Sequence, residues 1–272
     1  MKMMNGLAAV AVSIGCVGMA QGEIADFYLA DSVGGIYRVD GTTLESSLIV
    51  QLDNGFSMND ILVLDDGGIL ANTNGLLVRF DLQTGEERIV FDTRDYFTEP
   101  GFYITMGLAA TSSGDVFFTT EAVTGKGIEW FGGTYNPFTS EFTRLADIPN
   151  PTGLYFDHHQ VGENLFLGAD WSGGRISVIN SLTGETEFTD VDFDPVSFFE
   201  SGGDFFALSK GGDLFTFDPE TGSSTLYGSI QGSNGGVGWI GAASLSNPFT
   251  LPSPGTLSLI GIAGLVSVRR RR

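Results

Sequence analysis

The chain has one cysteine and two histidines among its 272 residues. A lone cysteine, Cys16, closes no intramolecular disulfide, and it falls inside an apolar N-terminal run. The rest of the chain must therefore hold its fold without cross-links, even in an oxidising compartment. A zinc centre needs three or four converging ligands, and two adjacent histidines with no other thiol do not provide them. His158 and His159 stand in Phe156-Asp-His-His-Gln, which reads as a solvated first hairpin turn. Basic residues are also scarce, with 13 Lys and Arg against 33 Asp and Glu. The chain contains no Gly-x-Ser-x-Gly, no His-Glu-x-x-His and no phosphate-binding loop, so no familiar nucleophile elbow, zinc protease or nucleotide site is visible. Long amphipathic helical patterns are missing too, as are low-complexity linkers between residues 23 and 250.

The two ends are distinct from the middle. Lys2 precedes an apolar stretch from Gly6 to Met19, and Ala20-Gln21-Gly22 then offers small residues before Glu23. This order predicts a secretory signal peptide over 1–22, with cleavage after Gly22 or after Ala20. At the other end, Leu251-Pro-Ser-Pro leads to the charge-free run Leu257–Val268, which four arginines, Arg269–Arg272, close. Positive charge beside an apolar run marks the cytoplasmic side of a membrane segment. The run of 12 residues is short against the roughly 20 that a full helical span needs, which favours a processing signal over a plain anchor.

The tail over 251–272 resembles the PEP-CTERM sorting signal of Gram-negative bacteria. Pro252, Ser253 and Pro254 stand at its Pro-Glu-Pro-like motif, with Ser in place of the usual Glu, and Arg269, Arg270, Arg271 and Arg272 form its basic end. The resemblance implies transient insertion in the inner membrane through the apolar segment. It also implies recognition by an exosortase-type membrane protease, and release or attachment at the cell surface of a Gram-negative-type bacterium.

Both terminal signals are free of acidic residues. They hold five of the 13 basic residues, so eight remain against 33 acids and the mature net charge is −25. Such a surface repels nucleic acid and suits an extracellular protein that stays soluble or binds divalent cations.

The middle is repetitive. Gly35-Ile-Tyr-Arg-Val-Asp40, Gly75-Leu-Leu-Val-Arg-Phe-Asp81, Gly174-Arg-Ile-Ser-Val-Ile-Asn180 and Gly212-Asp-Leu-Phe-Thr-Phe-Asp218 share an alternating strand that runs into a turn, most often Thr-Gly. A degenerate copy starts at Gly127, and the leading glycines are 40, 52, 47 and 38 residues apart. Two strands precede and one follows each copy, which is the arithmetic of a four-stranded propeller blade. The first repeat, from Ile24, lacks an inner strand, and Gly238–Leu245 supplies one with nothing after it. The expected fold over 23–250 is therefore an all-β, five-bladed β-propeller closed by pairing N- and C-terminal strands. Its blades are 24–52 with 237–246, 58–92, 105–147, 152–191 and 196–230. A β-sandwich of similar strand count explains neither the repeat nor the split blade.

The second strands end at Asp31, Asn72, Glu121, Asp170 and Ser209, which places a ring of polar groups on one face of a propeller. Trp171 and Trp239, with Tyr96 and Phe97, are expected on or near that face, where they serve as core packing or turn cover in one reading and as platforms for a sugar in the other. Asp190, Asp192 and Asp194 alternate and so share one side of an extended strand, a candidate Ca²⁺ site. Asp40, Asp81 and Asp218 fall in turns on the other face, where Asp and Asn beside Gly are structural. Two functions fit this sequence. One is a secreted binding propeller with no chemistry of its own, extracellular polysaccharide being the partner to test first. The other is a glycoside hydrolase or polysaccharide lyase that uses the ring carboxylates.

Overall fold

The computed structural model describes residues 24–52, 58–137, 139–148, 155–170, 174–232 and 238–245, the side chains of Tyr155 and Phe156 excepted. The expected signal peptide, the sorting tail with Pro252, Ser253, Pro254 and Arg269–Arg272, and Trp171 lie outside the described residues.

Five four-stranded antiparallel sheets make up the domain. Blade 1 joins β1 (Phe27–Asp31), β2 (Gly35–Val39) and β3 (Ser46–Gln51) to the last strand, β20 (Trp239–Ser244). Blade 2 holds β4 (Asp60–Val63), β5 (Ile69–Thr73), β6 (Leu76–Phe80) and β7 (Glu87–Asp92), and a one-turn helix α1 (Thr93–Tyr96) follows it. Blade 3 holds β8 (Gly101–Ala110), β9 (Val116–Thr124), β10 (Gly127–Asn136) and β11 (Glu141–Asp147). Blade 4 is β12 (Tyr155–Gly162), β13 (Leu165–Asp170), β14 (Arg175–Asn180) and β15 (Thr186–Asp190). Blade 5 is β16 (Pro195–Ser201), β17 (Asp204–Ser209), β18 (Asp213–Phe217) and β19 (Ser224–Ser229). The split blade is real: Phe27 pairs with Ser244, Leu29 with Ala242 and Ala30 with Gly241.

Local chemistry explains the hairpins between third and fourth strands. The side-chain oxygen of Asp40, Asp81, Asn180 or Asp218 accepts from the backbone N–H groups two and three residues on. The residue four on donates its N–H to the same residue's carbonyl at 2.8 Å in all four turns. In three blades that residue is a glycine at positive φ: Gly85, Gly184 and Gly222. Blade 1 has Leu44 there instead, at φ 58. Left-handed backbone costs a leucine about 1–2 kcal/mol. Its side chain is buried in the cluster between blades 1 and 5, and the Leu44 carbonyl accepts from Gln231 N–H. The packing of blade 5 offsets the strain.

Apolar residues pack between neighbouring blades rather than in one central mass. Blades 1 and 5 share Phe27, Leu29, Phe199 and Trp239, and blades 1 and 2 share Ile36, Ile61 and Ile240. Leu70, Leu108 and Phe118 join blades 2 and 3. Phe117 of blade 3 stacks on Phe166 of blade 4 with ring centroids 3.9 Å apart. The phenylalanines that crowd the sequence thus serve as mortar between sheets.

Blade 4 departs from the sequence reading. The expected turn at His158 and His159 is the middle of β12, and the turn falls at Glu163–Asn164. His158 is buried, its ring edge-on to Phe117, with Nε2 3.1 Å from Thr119 Oγ1 of blade 3. A polar run looks like a turn only until a neighbouring blade supplies partners for it.

Candidate functional site

The predicted ring forms at one level. Asp31 pairs with Trp239, Asn72 with Asp60, Glu121 with Ile104, Asp170 with Tyr155 and Ser209 with Pro195. In blades 1, 2, 4 and 5 the ends of the second strands therefore lie beside the starts of the inner strands, whereas in blade 3 the expected strand end at Glu121 is overrun, because β8, β9 and β10 extend the ladder three residues further, to Thr124. Their side chains, however, are largely committed to their own chain. Buried Asp31 accepts from Val33 N–H at 3.0 Å, Gly35 N–H at 2.7 Å and the Tyr37 hydroxyl at 3.0 Å. Burial and then that hydrogen bond push the Tyr37 phenol up to about 12. Asp170 is buried against Arg175, whose Nε lies 2.9 Å away and whose guanidinium covers Phe188. Asn72 donates to the Gly107 carbonyl at 3.3 Å, and Ser209 Oγ accepts from Asp213 N–H at 2.9 Å. Glu121 is half-buried between its ladder partners Ile104 and Trp130, and burial raises its carboxyl above the ordinary range.

Of the expected aromatics, the described ones serve as core packing and seam cover rather than as open platforms. Trp239 is buried, edge-on to Tyr37 at 5.1 Å, because it belongs to the closing strand and fills the seam between blades 1 and 5. Tyr96 stacks on Phe91 and donates its hydroxyl to the Ser140 carbonyl at 2.7 Å. Phe97 packs among Tyr103, Phe131 and Phe142. These rings cover the blade 2–3 seam.

The acidic triplet does not share one strand face. β15 ends at Asp190, and Asp192 and Asp194 lie in the bend beyond it. Asp194 accepts from Gly174 N–H at 3.1 Å, and Asp192 from Ser224 Oγ at 3.3 Å. Among the described residues no three His, Cys, Asp or Glu side chains converge on a metal position.

The concave site lies in the channel, below the ring. A cavity of about 230 Å³ is lined by all five inner strands, including Val63, Ala109, Asp157, Phe199 and Ala243. Toward the opposite face its wall carries His159 and Glu200, with Nε2 and Oε1 3.4 Å apart. The hydrogen bond from His159 holds the Glu200 carboxyl below its usual range. Asp60 and Asp157 are fully buried at the ring end of this channel. Sequence reasoning passed over both, because each looks like a strand-edge or turn aspartate. The usable signal was the offset: each stands within the inner strand of its repeat, where apolar residues are expected.

His158 gives a pH prediction. Burial pushes its imidazole down to about 3. The unfolded chain then binds a proton below about 6.5 that the folded protein refuses, so this residue's contribution to stability is lost as pH falls from about 6.5 toward 3, by up to about tenfold in the unfolding constant per pH unit. The His158 ring resonances are expected to stay at their neutral positions from pH 8 to 5 in an NMR titration. A midpoint near 6.5 in the folded protein contradicts the buried placement.

No family model and no curated protein matches this chain. Among solved structures, a protein of unknown function from Bacteroides caccae aligns with a TM-score of 0.51 at 13% identity, covering 74% of this chain and 71% of that one. A streptogramin B lyase aligns at 0.43 and 13%, covering 78% and 72%. TolB from Acinetobacter baumannii aligns at 0.45 and 12%, covering 76% and 54%. At such identities the first likeness bears on the fold alone, and the other two are too distant to carry an argument.

Proposed function

We propose that this chain is a secreted, exosortase-sorted propeller of the cell surface or extracellular matrix, and that it binds a partner without catalysing a reaction. Its signals direct export and removal of the tail. The domain left behind is a rigid ring with acidic edges, suited to display loops to an extracellular polysaccharide. The observation that supports a binding role over hydrolysis is the fate of the ring carboxylates. Asp31 and Asp170 accept hydrogen bonds from their own turns and from Arg175, whereas a glycosidase needs two carboxyl groups free to face the scissile bond.

The test has two arms on protein purified from its native host. Mass spectrometry is expected to find a mature N-terminus at Glu23 or Gln21 and a C-terminus that lacks the apolar segment and the arginines. An intact C-terminus at Arg272 refutes sorting. Polysaccharide binding and polysaccharide turnover are then measured separately. Binding with no new reducing ends or unsaturated products is the expected result, and turnover that disappears in Glu121→Gln establishes the enzymatic alternative.

A further inference from the structure

An inner strand of a blade has no neighbour on its channel side, so the N–H groups pointing there must find acceptors elsewhere. Those of Ile61 and Leu108 donate to Asp60, to Oδ1 at 2.7 Å and Oδ2 at 2.6 Å. The Ala242 N–H donates to Ser197 Oγ at 2.7 Å. The Phe198 N–H and the Ser197 hydroxyl both donate to Asp157 Oδ2. The buried carboxyl groups of Asp60 and Asp157 complete the set, close enough at this level to act on each other's ionisation. Inner strands of all five blades thus meet at one level of the channel. A glycine makes room for them: a Cβ at Gly241 would lie 2.7 Å from Asp60 Oδ1 and 3.0 Å from its Cα.

Two ionised carboxylates have no proton to donate to each other. We propose that a single proton shared between Asp60 and Asp157 locks the five blades together, and that the ring loosens when this proton leaves. Burial raises both carboxyls, and the charge of Asp157 raises Asp60 further. Bonds from Ser197 and Phe198 favour the ionised form of Asp157, as the N–H groups of Ile61 and Leu108 favour that of Asp60, so the proton belongs to the pair rather than to either residue. Other titratable groups around the pair come from β12 and β16. His158 is neutral and turned toward Thr119. His159 pairs with Glu200, and its charge favours ionised Asp157. The remaining residues of β4 and β20 are uncharged, and β8 presents the backbone of Leu108.

The folded protein holds a proton that the unfolded chain releases near the ordinary aspartate value of 3.8. Stability therefore falls as pH rises above that value, until the pair itself gives up the proton. Above about pH 6.5 the opposing slope from His158 is flat, so the lock is read there. Asp60→Asn keeps a donor and one of the two acceptor oxygens, so one strand N–H loses its partner at every pH, but it carries no titratable proton. The unfolding constant of the wild type relative to D60N is expected to rise about tenfold per pH unit from pH 6.5 until the proton is released. Parallel curves overturn the proposal. Infrared difference spectra supply a second measurement: the wild type at pH 7 should show a protonated, solvent-shielded carboxyl band that D60N lacks. Should D60N fail to fold, the wild-type spectrum decides alone, and absence of that band refutes the shared proton.

Discussion

Deleting Gly238–Leu245 from the full chain is expected to abolish cooperative folding. The segment contains only β20, yet all six of its strand residues are buried. Trp239 fills the seam between blades 1 and 5, while Ile240 and Ala243 pack between blades 1 and 2. Burying one large apolar side chain is worth about 1.5–3 kcal/mol, and a domain of this kind is stable by only about 5–15 kcal/mol in total. The deletion removes Trp239 and Ile240 and also uncovers the ladder edge of β1, whose residues Phe27 to Asp31 pair with β20 along their length. It removes the Ala242 N–H that donates to Ser197 Oγ and leaves that hydroxyl its bond to Asp157. The ring then carries an open edge at its seam, the configuration that invites pairing with other chains. Circular dichroism melting and gel filtration check this. A truncated chain that melts cooperatively as a monomer contradicts closure as the source of stability. Trp239→Ala, a milder form of the same change, should cost about 3–5 kcal/mol.

Asp157→Ala is expected to be the most damaging single change to a polar residue, at about 3–5 kcal/mol. The alanine removes the acceptor of the Phe198 N–H and of the Ser197 hydroxyl at once, and it takes away the carboxyl beside Asp60. All three are buried. A stranded buried donor costs about 1–3 kcal/mol, and water cannot replace the carboxylate without room and partners. Asp157→Asn keeps one acceptor oxygen and should cost clearly less. Urea midpoints of the two variants against the wild type decide the matter. Equal midpoints for Asp157→Ala and the wild type show that the buried pair contributes nothing to stability.

Much of this architecture was legible without coordinates. Alternation in Gly75-Leu-Leu-Val-Arg-Phe and its copies follows from period-two burial on a sheet. The Asp-x-x-Thr-Gly turns follow from side-chain oxygens that cap their own backbone. Both are local rules, so a reading along the chain finds them. The split blade was visible for the same reason, as one strand short at the start and one strand over at the end. Leu44 shows where such rules stop: its left-handed backbone breaks the glycine pattern, and only the packing of blade 5 explains it.

The site was harder to read. Asp31 and Asp170 were correctly placed on one face, but their partners, Tyr37 and Arg175, decide that they are structural. Core packing and a sugar platform both stayed open for Trp239, because nothing in its neighbours along the chain says which side of a seam it fills. The polar set of Asp60, Asp157 and Ser197 comes from blades 2, 4 and 5, and it takes backbone donors from blade 3 and from the closing strand. Sequence by itself determined the blades and their number, since each repeat rests on residues a few positions apart, and the closure followed from one strand missing at the start and one left over at the end. Tertiary structure alone decided which carboxyls face each other across the channel. Their meeting depends on the closing of the ring, which brings together residues nearly a hundred positions apart and leaves their N–H partners no water to turn to.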